Sequence, residues 1–474
     1  MKILFVTPPM KSWLFYGRHI SPYIGYAQLA AFLREKGFEV EVLDSFALGH
    51  DFDQMEAEVR KIKPDAVGMA AYTSTIHLAT EANKRIKRVC PHCVIIGGGL
   101  HYYGLYKESL KTDPHLDYIV MGEGELTMAE LCEELKPGRP SPERLRQIRG
   151  LAFRDGEEVI LTPTRPMIPN LDSLPMPAYD LFPWDKYVGM TYWDHFVTTA
   201  FSRGCTGKCD FCFQWNQYEG IYRYRSGKKV AEEINLLAKE YGVKVVTMGD
   251  DNFSASRQRN IEFCEEMLKL KPGIKWNFLG RADEILRDRD LLPLMHESGC
   301  RIALIGVETH DDKILEKSGK NLTTAQIKEA FKVMRQNKIA TVATVIIGFP
   351  EDTESSIKQL AAFLDELDPD FIVPQPLTPL PGTMLWKRVR AEGKIEIEDF
   401  ALYDTAHVIM PSDHLSRAEL YRLMAWMSRE FYSKQERIYR GLYETDEHVS
   451  KCFRNWMEIC VNLTPEALEG KVLV

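Results

Sequence analysis

No apolar run in this 474-residue chain approaches the roughly 20 residues that a membrane-spanning helix needs. An excess of positive charge is also lacking. The formal net charge is -8, which argues against a nucleic-acid surface as the main business of the protein. There is no internal repeat and no low-complexity tract. The opening MKILFVTPPM has too short an apolar run for a signal peptide and no small-residue cleavage site, so it reads as a first β-strand. A cytoplasmic setting is expected, where ten cysteines stay thiols or metal ligands rather than forming a disulfide framework.

One further absence is local. FSRGCTGKCDFCFQW places Cys205, Cys209 and Cys212 in a C-x3-C-x2-C spacing, and no fourth ligand follows at zinc-finger distance. Structural zinc wants four protein ligands, usually in two pairs, and iron–sulfur cubes usually take one cysteine per iron. Three cysteines on a cube leave one iron open to a substrate or cofactor. Gly204 and Gly207 give this segment the freedom to wrap a cluster.

The pattern of apolar runs divides the chain. Residues 1–137 alternate continuous apolar strands (KILFVTPP, EVEVLDSFA, DAVGMAAYTS, CVIIGGG, DYIVMGEGE) with amphipathic stretches. That is the pattern of a doubly wound parallel sheet covered on both faces, with a ligand expected beyond the carboxyl ends of its strands. Thr73, Ser74 and Thr75 follow the third strand, Gly97, Gly98 and Gly99 the fourth, and Gly122 and Glu123 the fifth. Such glycines either admit a bulky ligand to the backbone or simply turn the chain. Residues 138–195 are expected as a linker with a hairpin around Asp155-Gly156 and a proline-rich stretch. Residues 196–388 resume the alternation in about six β/α units, a partial TIM-like barrel with the cysteine loop directly after its first strand. Residues 389–474 are helix-patterned. Their Met, Tyr and Trp residues read either as core packing or as part of a binding box.

The cysteine spacing at this place resembles the radical S-adenosylmethionine (radical SAM) superfamily. In that family the three cysteines hold a [4Fe-4S] cluster, and SAM chelates the fourth iron and is cleaved to a 5′-deoxyadenosyl radical. The resemblance implies roles in order along the chain: Phe211 near adenine, and Gly249, Asp250 and Asp251 of TMGDDNF beside the SAM amino group. It further implies Arg281 of GRADEIL on the carboxylate, Glu308 of IGVE on the ribose, and Ile347 and Gly348 of VIIGFPEDT against adenine through their backbone. A doubly wound domain ahead of the barrel, with TPP, GEGE and LPMPAYDLF, is similar to the cobalamin-binding subgroup. Its fold is α/β: a Rossmann-like cobalamin-binding domain, a (β/α)6 radical SAM barrel and a helical C-terminal domain. The cobalamin signature D-x-H-x-x-G is absent, and His19 in PPMKSWLFYGRHISP has no such context. That departure leaves the lower axial ligand open, and a domain that supports the barrel without cobalamin is the alternative.

The subgroup implies C-methylation of an unactivated carbon, with an oxidative cyclase or other bond-forming radical chemistry on a porphyrin- or lipid-type substrate as the alternative. A methylthiotransferase and a non-catalytic iron–sulfur sensor are the remaining readings. The expected partners are a small, apolar or polycyclic substrate and a reductant such as flavodoxin or ferredoxin, with no nucleic acid. Cys90 and Cys93 (C-P-H-C), Cys132, Cys264, Cys300, Cys452 and Cys460 read as buried thiols.

Overall fold

A computed structural model describes residues 1–10, 20–187, 189 and 195–470. The chain divides into two compact units, one from the N-terminal strand and Pro22–Lys186, the other from Tyr187 onward.

In the first unit seven strands form one sheet: β1 (Lys2–Thr7), β2 (Glu39–Asp44), β3 (Ala66–Ala70), β4 (Val94–Gly98), β5 (Tyr118–Val120), β6 (Leu151–Asp155) and β7 (Glu158–Leu161), in the order β2-β1-β3-β4-β5-β6-β7. The first five run parallel. Ile3, Leu4, Phe5 and Val6 are all buried, as strands covered on both faces require. The hairpin expected at Asp155-Gly156 does more than connect. It adds β6 and β7 antiparallel to the β5 edge. The proline-rich stretch then packs onto the first helix (Ile24–Glu35): Ala178 N donates to Ala27 O, Gln28 Nε2 donates to Pro175 O, and Arg34 pairs with Asp180.

In the second unit β8 (Phe196–Thr199) leads into a two-residue antiparallel ribbon of β9 (Ser202–Arg203) and β10 (Arg223–Tyr224). The main sheet continues with β11 (Val245–Met248), β12 (Lys275–Gly280), β13 (Cys300–Glu308), β14 (Ala340–Ile347) and β15 (Phe371–Pro376). These six strands are parallel, in the order β15-β14-β13-β12-β11-β8, and curl into a half-barrel. Its two faces differ in composition. Trp276 and Phe278 turn outward against Phe263 and Phe253, Phe263 lying on the helix Arg257–Leu270. The alternate residues face inward, and the register aligns polar Thr198, Thr247 and Asn277 across β8, β11 and β12. Apolar Leu304, Ile346 and Val373 stand half-buried on the same inner face of β13, β14 and β15.

The C-terminal helices close the β15 edge. Ser416 and Glu419 form a capping box that starts the helix Arg417–Tyr432. At the far end of that helix Tyr432 Oη accepts from Ile372 N at 2.8 Å, while Phe453 packs on Phe371. No described helix is long and apolar enough to cross a membrane.

Candidate functional site

The cysteine loop leaves the half-barrel at the carboxyl end of β8. Its first turn requires glycine, because Gly204 has φ +87° and a Cβ there would lie 2.1 Å from Ile221 O. A Cβ on Gly207 would stand 3.5 Å from Cys205 Sγ and 3.9 Å from Cys209 Sγ, so two sulfurs turn toward one side of the loop. Cys209 is buried, whereas Cys205 and Cys212 are partly open. Burial pushes all three thiols up, Cys212 to about 12. A bound metal group would pull these values back down and hold the three as thiolates. Among the described residues no three His, Cys, Asp or Glu side chains converge as they would on a single metal ion. Three cysteines that each serve a different iron need no common point, so the donor set fits a three-cysteine cluster with one iron left open.

The other expected residues separate into two groups. Phe211 meets Phe349 edge-on at 6.5 Å, next to Gly348, whose N–H donates to Asp352 at 2.8 Å. Arg281 lies against the loop: its Nη1 stands 3.1 Å from where a Cβ on Gly207 would be, and its guanidinium also grips Asp283. Asp251 accepts from Gly204 N at 3.3 Å, and burial, with Asp250 as the next contribution, raises its carboxyl to about 7. Glu308 ends β13 with φ +61°. These residues gather with the cysteines at the carboxyl ends of the strands.

Asp250 is turned the other way. It is fully buried, accepts from Phe201 N at 3.3 Å and from Ser202 Oγ, and lies 3.6 Å from Arg259. Gly249 N donates to Thr199 O at 2.7 Å, which ties β11 to β8. Ile347 is buried, and its carbonyl already accepts from Leu377 N at 2.9 Å. Two groups were given no role in the linear motifs. Glu284 collects Thr206, Asn252 and Ser254, which links the cysteine loop to the residues after β11. Lys320 pairs with Glu308 at 2.6 Å.

In the first unit a cavity of about 170 Å³ opens at the ends of β3, β4 and β5, floored by Gly97, Gly98, Gly99 and Gly122. A Cβ on Gly98 or Gly122 would meet nothing within 4 Å, so the backbone there is open to a flat ligand. Those two open glycines would let part of a corrin approach the backbone closely. Sequence reasoning missed the cavity's aromatic side. Tyr26 stacks on Phe5 at 5.0 Å and bridges strands by donating to Val6 O and accepting from Ala70 N. Thr73, Ser74 and Thr75 form a short turn outside this lining, and Glu123 accepts from Ile168 N at 2.7 Å. His19 lies outside the described residues. Cys90 and Cys93 belong to the buried core of this unit.

A family model of the Radical SAM superfamily matches residues 199–364, and a B12 binding domain model matches residues 18–132. An uncharacterised methyltransferase of Pyrococcus horikoshii is 31% identical over 94% of this chain and 95% of its own length. The chain belongs to the B12-binding radical SAM superfamily. An anaerobic magnesium-protoporphyrin IX monomethyl ester cyclase of Rubrivivax gelatinosus is 32% identical over 92% of this chain and 78% of its own. The solved structure of the cobalamin-dependent S-adenosylmethionine radical enzyme OxsB shares the fold. It has a TM-score of 0.74 at 17% identity and covers 96% of this chain and 70% of that one. A radical SAM enzyme of this type uses a [4Fe-4S] cluster, SAM and cobalamin.

Proposed function

We propose that this radical SAM enzyme methylates an unactivated carbon of a small, apolar or polycyclic substrate. The observation that carries the reading is the pairing, in one chain, of a three-cysteine loop and a glycine-floored cavity in the B12-binding unit. Full-length similarity to a methyltransferase supports it. Oxidative cyclisation is the second reading, favoured by equal similarity to the cyclase. The inner face of the half-barrel supports an uncharged substrate, because its strands present Leu304, Ile346 and Val373 beside Thr198, Thr247 and Asn277.

When bound, the reduced cluster with SAM supplies a hydrogen-abstracting 5′-deoxyadenosyl radical, and cobalamin supplies the methyl group. The chain's own residues hold and orient these groups. Cys205, Cys209 and Cys212 would hold the cluster through one iron each, and SAM would bind at the remaining one. Arg281 offers a planar fork to the SAM carboxylate, and Asp251 faces the amino group. Glu308 would take the ribose hydroxyls, with Phe211 and the Gly348 backbone beside adenine, while the Ile347 carbonyl is already taken up by Leu377 N. Asp250 serves from behind by fixing Ser202 and Phe201 at the root of the cysteine loop. Gly97, Gly98, Gly99 and Gly122 let a corrin approach the sheet, with Thr73, Ser74, Thr75 and Glu123 at its margin. A cytoplasmic flavodoxin or ferredoxin would supply the electron.

Anaerobically reconstituted protein with reductant and SAM should release 5′-deoxyadenosine, and loading with hydroxocobalamin should give the corrin absorbance. Product mass then separates the readings, a gained methyl group for methylation against lost hydrogens for cyclisation. Absence of 5′-deoxyadenosine would sink both.

A further inference from the structure

Lys320 belongs to no motif that the sequence reading used, yet its ammonium is buried and lies 2.6 Å from Glu308 Oε1. The pair sits across the strand end. A Cβ on Gly306 would fall 2.3 Å from Glu308 Oε1 and 2.4 Å from Lys320 Nζ, so β13 needs glycine there to seat it. Gly306 shares its register position with Thr344 on the inner face, which puts the pair inside the half-barrel. Next to it the strand is irregular, with a bulge between Gly306 and Glu308 and the left-handed φ of +61° at Glu308.

The backbone just before Lys320 holds the cysteine loop. Ser318 O accepts from Asp210 N at 2.9 Å, and a Cβ on Gly319 would come within 2.5 Å of Lys208 O. Lys320 O accepts from Arg281 Nη2 at 3.0 Å. Three contributors to the SAM site therefore meet on one turn: the cysteine loop, Arg281 and Glu308. Burying such a pair brings little net stability, because the desolvation of both charges offsets their attraction. Its use lies in fixing a carboxylate at one place. An ammonium has three donors, and among the described residues Glu308 is the one hydrogen-bond partner of Lys320 Nζ.

We propose that Lys320 is the positioning residue of the SAM site, aiming the Glu308 carboxylate at the ribose and placing one positive charge beside the cluster loop. This rests on the reading of Glu308 as a SAM contact. The test uses full-length, anaerobically reconstituted Lys320→Met, Lys320→Arg and Glu308→Gln, with iron and sulfide content measured first. Lys320→Met should keep its cluster, bind SAM about tenfold more weakly by equilibrium dialysis, and shift the cluster's midpoint potential negative. Lys320→Arg should restore both readouts in large part. Glu308→Gln should weaken SAM binding similarly while shifting the midpoint positive, and the Lys320→Met/Glu308→Gln double variant should bind no worse than either single one. Should Lys320→Met lose its cluster, Lys320→Gln, which keeps an N–H donor without the charge, carries the same comparison. Unchanged SAM affinity in the Lys320 variants with weakened binding in Glu308→Gln overturns the positioning role. Unchanged affinity in Glu308→Gln overturns the reading of Glu308 itself.

Discussion

Both parallel sheets present their sites at the carboxyl ends of their strands, yet the half-barrel builds its site from sulfur and charge while the N-terminal sheet builds its own from glycine and aromatic rings. The difference follows from what each must hold. A cluster and a zwitterionic cosubstrate need fixed ligands and counter-charges. A large flat cofactor needs room against the backbone and apolar contact. The first kind of site fails when one atom is removed, the second when one is added.

The sharpest break of this comparison is therefore a deletion in the barrel. Cys209→Ser should abolish cluster content and 5′-deoxyadenosine formation while hydroxocobalamin uptake persists, as read by iron assay and corrin absorbance. Loss of both would show that the two sites are not independent. Gly204→Ala comes next. The added Cβ meets the Ile221 carbonyl at 2.1 Å in a backbone conformation that disfavours alanine, so most of the cluster content should be lost although every ligand remains. Gly68→Ala is the counterpart in the first unit. Its Cβ would lie 2.5 Å from the Phe5 ring that lines the cavity. Overpacking of this kind costs about 1–3 kcal/mol, read as a lower urea midpoint, and should weaken corrin uptake. Phe5→Leu in the same chain should recover much of the loss.

The half-barrel's candidate residues could be picked out because they follow in chain order, most of them at strand ends, behind a distinctive cysteine spacing. Their fine geometry was not legible. Asp250 and Asp251 are neighbours in sequence, but one faces Arg259 in the core and the other faces Gly204, and no local pattern separates them. Lys320 stayed invisible because only the folded turn at Ser318–Lys320, which Asp210 N holds through Ser318 O, brings it back onto Glu308. In the first unit the strand-end glycines could be read, while Phe5 and Tyr26 looked like any core aromatics. Gly68 was the available signal, since a lone glycine inside an apolar strand marks a close approach. The hairpin's pairing with β5 is a non-local choice that its own residues do not encode.

The smallest predicted effect tests whether the barrel's charge is tuned for a ligand. Burial, then Asp250, lifts the Asp251 carboxyl from 3.8 to about 7, so the folded protein holds a proton there that the unfolded chain has released. Stability from this group is therefore fully present below 3.8 and is lost progressively as pH rises from there through about 7. Asp251→Asn cannot charge. Without SAM, its urea midpoint should match wild type only near about pH 4, pull ahead as pH rises and reach its full lead by about pH 8. An ammonium beside Asp251 favours the carboxylate and pulls its pKa down. Saturating SAM should thus remove the pH trend from wild type and leave the variant unchanged. A midpoint difference that stays flat with pH would mean that Asp251 is already charged in the free protein, and the contrast between a charge-built and a glycine-built site would then rest on Arg281 and Glu308 alone.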